Sequence, residues 1–312
     1  MRTILITLHL FMVNTIFAQL PQLRPEVIEF YQLRDIALRS RVLDEKDLIE
    51  KHKAFFSHPL FCEIAYGIEY IPFVRLLLLR GEYTKAEEYL LKAAKLHYFN
   101  TSNMLAHIFN KRTEVWFDSV LEKILEIENK RAIDPRIIAI AHELAEMVKK
   151  DRAVRMEEPI DRDFKHKIDS ANIYRIIELI KENPDIDITR INMMGRISCP
   201  SNFNFTNMGD VGIILWHVLR CPVVPYAITA WTDFFEAYFR KRAEEGKGLD
   251  YCFWYDARIF WSNLVFAKRE DPYYGIIGFG VPKFPLFIYV NNNLDEINKN
   301  RAKVGLLPLS RR

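Results

Sequence analysis

The sequence predicts a mainly α protein, with a helical amino-terminal layer followed by a mostly helical carboxy-terminal domain carrying a few short strands. Three observations lead there. Apolar residues recur at spacings of three and four through most of the chain, and acidic or proline caps open several of these runs. The best strand candidate is "PLFIYV" at 285–290. The 312 residues give room for two domains, and with half of them apolar and only 11 Gly and 14 Pro the chain has the material of a folded core rather than of a disordered one.

The chain opens with Met1-Arg2, an apolar run from Ile4 to Phe17, and the small residue Ala18. This is the pattern of a secretory signal peptide over 1–18, cleaved after Ala18. The other reading, a membrane anchor, needs roughly 18–20 apolar residues, more than this run supplies. The expected location is periplasmic or secreted, with no transmembrane segment after cleavage. In such a compartment Cys62, Cys199, Cys221 and Cys252 have three complete disulfide pairings, which spacing does not rank, or they remain buried thiols. Basic and acidic residues interleave to a net charge of +3, with no long basic stripe, so no nucleic-acid partner is expected.

Residues 19–134 read as a helical domain. Pro25 to Pro59 holds two amphipathic helices. In "RGEYTKAEEYLLKAAKL" (80–96), Gly81, Tyr83, Ala86, Tyr89 and Ala93 resemble the second half of a tetratricopeptide repeat. One such unit is visible, so the stretch near 63–98 is read as a single helical hairpin.

Residues 135–312 form the second predicted domain. Asp134 caps a helix that starts at Pro135. Ile137, Ile138, Ala141, Leu144, Ala145 and Val148 share one face of it, and Asp151, Arg152 and Arg155 fall on or beside the same stripe. Asp151 and Arg155, four apart, can meet as an ion pair. A charged, irregular stretch is expected over 156–167, then a helix from about Asp169 to Asn183, then loop over 183–208. "VGIILWHVL" (211–219) is apolar almost all round and reads as a short buried helix ended by Cys221-Pro222. A helix from Pro225 carries Ala227, Trp231, Phe234, Phe235 and Tyr238 on one face. Gly246 and Gly248 precede a helix over 249–264, and Gly305 closes the last helix, 293–305.

Polar groups in apolar surroundings are the site candidates. His217 lies within a continuous apolar run, where an imidazole needs a partner for its N–H. Asp256 projects beside Phe253, Ala257 and Phe260, away from Arg258, so its partner must be distant: His217 or Arg301 is expected. "HELAE" (142–146) is similar to a zinc-protease helix, but Glu146 replaces the second histidine and the group falls on an outer face among lysines. No metal or cofactor is expected. The glycines at 275–280 follow no strand and open no helix, so they form no phosphate cradle.

The spaced elements "KKDRAVR" (149–155), "IDSANIYRIIELI" (168–180), "GIILWHVL" (212–219), "PYYG" (272–275) and "RAKVGLLPL" (301–309) resemble an uncharacterised family of exported bacterial proteins whose shared domain has no assigned function. The resemblance covers about residues 135–312. It implies that Asp151, Arg155, His217, Tyr274, Gly275 and Arg301 occupy the family's recurring polar and glycine positions. Where the family pattern has Gln-x-Tyr-Gly-Thr-Gln, this chain has Pro272-Tyr273-Tyr274-Gly275-Ile276-Ile277, and the family's adjacent Asp-Arg pair is split as Asp256-Ala257-Arg258. The loop therefore reads as a ligand-type turn whose polar contacts have become packing.

Two functions follow as expectations. One is a non-catalytic exported protein that binds another protein or an envelope component. The other is a hydrolase acting on an envelope substrate, with His217 as general base, Asp256 orienting it, and Arg155 or Arg301 holding an anionic group. Asp151, Arg155, Tyr274, Gly275 and Arg301 are the expected binding residues. A third possibility gives these side chains only a structural role, as a buried polar network that fixes the fold.

Overall fold

The computed structural model describes residues 20–38, 45–61, 69–95, 101–102, 105, 115–156, 161–191, 210–221, 223–266, 273–276 and 293–310. The expected signal peptide, the strand at 285–290, Cys62, Cys199 and the glycines at 278 and 280 lie outside them. Among the described residues the regular structure is helical and no strand occurs. None of their helices is long and apolar enough to cross a membrane.

The amino-terminal layer holds α1 (Pro25–Leu38), α2 (Glu45–Ser57), α3 (Tyr70–Leu79), α4 (Tyr83–Ala94) and α5 (Val115–Lys130). Helices α1 and α2 pair, and α3 and α4 form an antiparallel hairpin whose turn needs Gly81 at φ +72°. The small residues Ala86, Ala93 and Ala94 are buried with Leu90, letting α4 approach α3 and α5 closely. An aromatic cluster of Phe56, Tyr70, Phe73 and Tyr89 fills the space between α2 and this hairpin.

The second part runs through α6 (Pro135–Met156), α7 (Arg162–Glu182), a 3-10 turn (Ile188–Arg190), α8 (Asp210–Leu219), α9 (Pro225–Ala230), a π turn (Trp231–Phe235), α10 (Glu236–Glu244), α11 (Asp250–Phe266) and α12 (Leu294–Lys303). Asp134 caps α6 as expected, accepting the Arg136 N–H at 2.8 Å. Helix α7 corrects the expected start: it begins at Arg162, not near Asp169, because Asp161 accepts the Phe164 N–H at 3.0 Å and caps it. The charged stretch is therefore partly helix, and Asp169 moves from a supposed terminus to a buried position inside α7. Ile173, Ile176 and Ile177 of α7 join Leu144 and Val148 of α6, Ile214 and Val218 of α8, and the aromatic faces of α10 and α11 in the largest core. α8 lies against both α6 and α7.

Helix α1 joins the two parts. Tyr31 Oη donates to Ala243 O at 2.9 Å and accepts from Gly248 N at 3.0 Å. Asp35 accepts the Leu307 N–H at 2.8 Å and lies 3.7 Å from the Arg301 guanidinium. Gly305, at φ +73°, passes so close to α1 that an added Cβ would meet the Ile28 carbonyl and lie 2.9 Å from Tyr31 Cβ. Helix α1 thus packs against both the end of α10 and the turn that follows α12.

Candidate functional site

The last turns of α6 bring the first charge into the core. Leu144, Val148 and Asp151 lie on one buried stripe, so Asp151 sits where the pattern calls for an apolar residue, with no solvent exposure. Arg152 is exposed on the other side. One turn on, Arg155 reaches back as the spacing predicted, its Nη1 2.6 Å from Asp151 Oδ1, while its Nη2 lies 2.5 Å from Asp169 Oδ1 on α7. Two buried carboxylates thus share one guanidinium, whose planar fork suits both. The arrangement offsets a desolvation cost that either acid would otherwise carry alone.

His217, in the last turn of α8, completes the pair with Asp151: Nδ1 lies 2.7 Å from Asp151 Oδ2. This corrects the expected pairing of His217 with Asp256. An ionised carboxylate only accepts, so Nδ1 carries the proton, and in the neutral ring Nε2 is the free base. No described residue bonds Nε2, and the side chain keeps 19% of its exposure. On the far side of Arg155 the chain of contacts continues from Asp169 Oδ2 to the Tyr226 hydroxyl at 3.5 Å and from there to His166 Nδ1 at 3.0 Å. Burial, and then the Asp169 charge, push the Tyr226 hydroxyl well above its ordinary pKa, so it remains a protonated donor.

The other expected residues assemble elsewhere and do something else. Asp256 is fully buried in α11, where Oδ1 accepts the Tyr274 N–H at 2.9 Å and Oδ2 the Ile276 N–H at 2.8 Å. Arg301 lies near enough to favour its charge, but burial dominates and pushes the carboxyl up to about 7. Arg301 donates to Leu307 O at 2.6 Å and to Tyr274 O at 2.9 Å. Gly275 adopts φ +65°, which turns the backbone so that the amides on both sides of it reach Asp256. Tyr274 is 1% exposed and packs in the main core. Asp256, Tyr274, Gly275 and Arg301 therefore form a clamp that fastens the 273–276 turn between α11 and α12. Asp256 does not orient His217, Tyr274 presents no surface to a ligand, and neither arginine expected to hold an anion is available to one.

Asp169, Tyr226 and His166 belong to the His217 network without having been singled out in the sequence. Asp169 had a signal: once α7 is extended to Asp161, it falls at the four- and seven-residue spacing from Ile173 and Ile176 on the buried face. Tyr226 and His166 had none. His142 and Glu146 are exposed and Glu143 pairs with Arg175 at 2.6 Å, the solvated face the pattern predicted. No group of three metal-ligating side chains occurs among the described residues. Cys221 and Cys252 carry free thiols, and burial raises the Cys252 pKa.

The chain matches no family model, no curated protein and no solved structure.

Proposed function

We propose that residues 135–310 carry an acid–base site, with His217 as general base and Asp151, rather than Asp256, orienting it, and that the protein is an exported hydrolase acting on an envelope substrate. One observation carries the reading. A buried carboxylate held by Arg155 fixes Nδ1 of a partly exposed histidine and leaves Nε2 to take a proton from an attacking water. Arg155 holds Asp151 in place, so the imidazole is positioned before any substrate arrives. The leader pattern at 1–18 and the resemblance to exported proteins support the compartment.

A second reading, a non-catalytic protein that binds another protein or an envelope component, is favoured by the 273–276 clamp. A turn of ligand type is there closed against the core. The two readings separate in one experiment. The mature chain is incubated with chromogenic esters, anilides, glycosides and phosphate esters, alongside His217→Ala and Asp151→Asn. The hydrolase reading expects turnover of at least one class, lost about 100-fold or more in His217→Ala. Asp151→Asn should shift the pH–rate profile. Turnover unchanged in His217→Ala, or none above buffer with any class, overturns it in favour of binding.

A further inference from the structure

Arg155 and Arg301 are committed to protein acceptors, yet a third arginine stands beside the same histidine. Arg220 is the first residue past α8, three positions from His217, so the two side chains leave the helix end as neighbours. Its guanidinium carbon lies 5.0 Å from the centroid of the Trp261 ring and 5.7 Å from that of Trp216. The two indoles meet edge to face with their centroids 6.2 Å apart. Stacking of this kind fixes a guanidinium without using any of its N–H donors. Among the described residues no carboxylate forms an ion pair with it, although Asp169 and Asp151 are close enough to favour its charge. Burial, assisted by Arg155, acts against that charge. Among the described residues the buried Trp261 indole N–H, beside Arg220, finds no acceptor. Buried donors are nearly always bonded, so the corner is short of acceptors.

We infer that Arg220, held between Trp216 and Trp261, is an oxyanion subsite that binds a carboxylate or phosphate group of the substrate and places the adjoining bond before His217. The planar fork of Arg220 matches either group through two parallel N–H donors. The assignment deepens the acid–base reading and rests on it for its role in catalysis, but anion binding itself is measured without turnover. It also replaces Arg155 and Arg301 in the task for which the sequence suggested them.

The test is a tryptophan-fluorescence titration of the mature chain with inorganic phosphate and, separately, acetate, at ionic strength held constant with sodium chloride. The wild-type chain should give a saturable response to at least one of them. Arg220→Gln should weaken it at least tenfold, and Arg220→Lys, which keeps the charge but loses the fork, should fall between. Tighter binding of phosphate assigns a phosphorylated substrate, and tighter binding of acetate a carboxylated one. His217→Ala should bind the anion within about threefold of wild type. Loss of turnover in that variant then tests the acid–base reading alone. Equal binding by Arg220→Gln and wild type, or a wild-type response no larger than that to chloride, overturns the inference. A nitrogen-15 indole spectrum of the wild-type chain gives an answer that does not depend on a variant folding. The Trp216 or Trp261 N–H signal should move as phosphate or acetate is added, and the inference fails if neither does.

Discussion

The Asp256 clamp makes stability depend on pH in a way that one substitution isolates. The folded carboxyl is pushed up to about 7 by burial, while its ordinary value is 3.8. The folded state therefore holds the proton more tightly than the unfolded chain does. The stabilisation is fully present below 3.8, declines as pH rises, and is lost above about 7. The gap of about 3 pH units caps the effect at about 4 kcal/mol, of which about 3 kcal/mol falls between pH 5 and pH 8. Asp256→Asn removes the titration. Its amide oxygen keeps one of the two backbone N–H bonds, and its NH2 faces the other donor, which costs about 1–3 kcal/mol. Urea unfolding of both proteins at pH 5, 6, 7 and 8 should show the wild type ahead at pH 5 by that amount. The lead should shrink by about 3 kcal/mol by pH 8 and then vanish or reverse.

Other groups titrate in the same window, so the difference between the two proteins is the quantity to read. His52 is buried with its pKa lowered, and its contribution is lost as pH falls below 6.5, opposite to Asp256. Glu236 is raised by burial and acts in the same direction as Asp256. Both are common to the two chains and cancel. A stability difference that stays constant from pH 5 to 8, or that grows in favour of the wild type, would refute the argument. It would mean that the two amide donors and Arg301 hold Asp256 ionised despite its burial.

Arg155→Met should cost about 3–5 kcal/mol in denaturant unfolding, because it leaves two buried carboxylates without their shared cation. A loss below about 1 kcal/mol would show that the pair tolerates neutralisation. Gly305→Ala and Gly81→Ala make a matched test of close packing, since both glycines have φ near +72°. Nothing lies within 4 Å of an added Cβ at Gly81, so only the left-handed backbone cost of about 1–2 kcal/mol is expected there. At Gly305 the same methyl meets α1, and the melting temperature should drop further. Equal losses at the two sites would mean that α1 moves aside freely.

Local chemistry was the part legible in the sequence. Asp134-Pro135 announced α6 because a cap and a proline act within one turn. Asp151 and Arg155 were readable as a pair because helix geometry alone puts residues four apart together. The start of α7 was missed because Asp161 opens a charged turn, with no apolar stripe to mark where it begins. His217 and Asp151 are 66 positions apart, and only the packing of α8 on α6 joins them. Asp256 was rightly read as needing distant partners, but those partners are main-chain amides, which every residue except proline supplies and which leave no mark in a sequence. Arg220 and Trp216, four apart, were likewise within reach of helix geometry, but the contact of Arg220 with Trp261 is a product of tertiary packing.

The way the clamp is built decides which side chains the 273–276 turn can carry. Ile276 contributes to the clamp only through its N–H. Gly275 contributes a dihedral angle, and Tyr274 an amide, a carbonyl and a buried ring. The clamp's bonds join backbone groups of the turn to Asp256 and Arg301, so none of them depends on a polar side chain at 273–276. His217, Asp151, Arg155 and Asp169 draw none of their contacts from residues 273–276. Both oxygens of Asp256 are bonded inside the fold, whereas among the described residues His217 Nε2 and the Arg220 guanidinium have no hydrogen-bond partner. The side chains of the turn are therefore separate from the His217–Asp151 pair, and the proposed turnover is to be sought at the ends of α6 and α8.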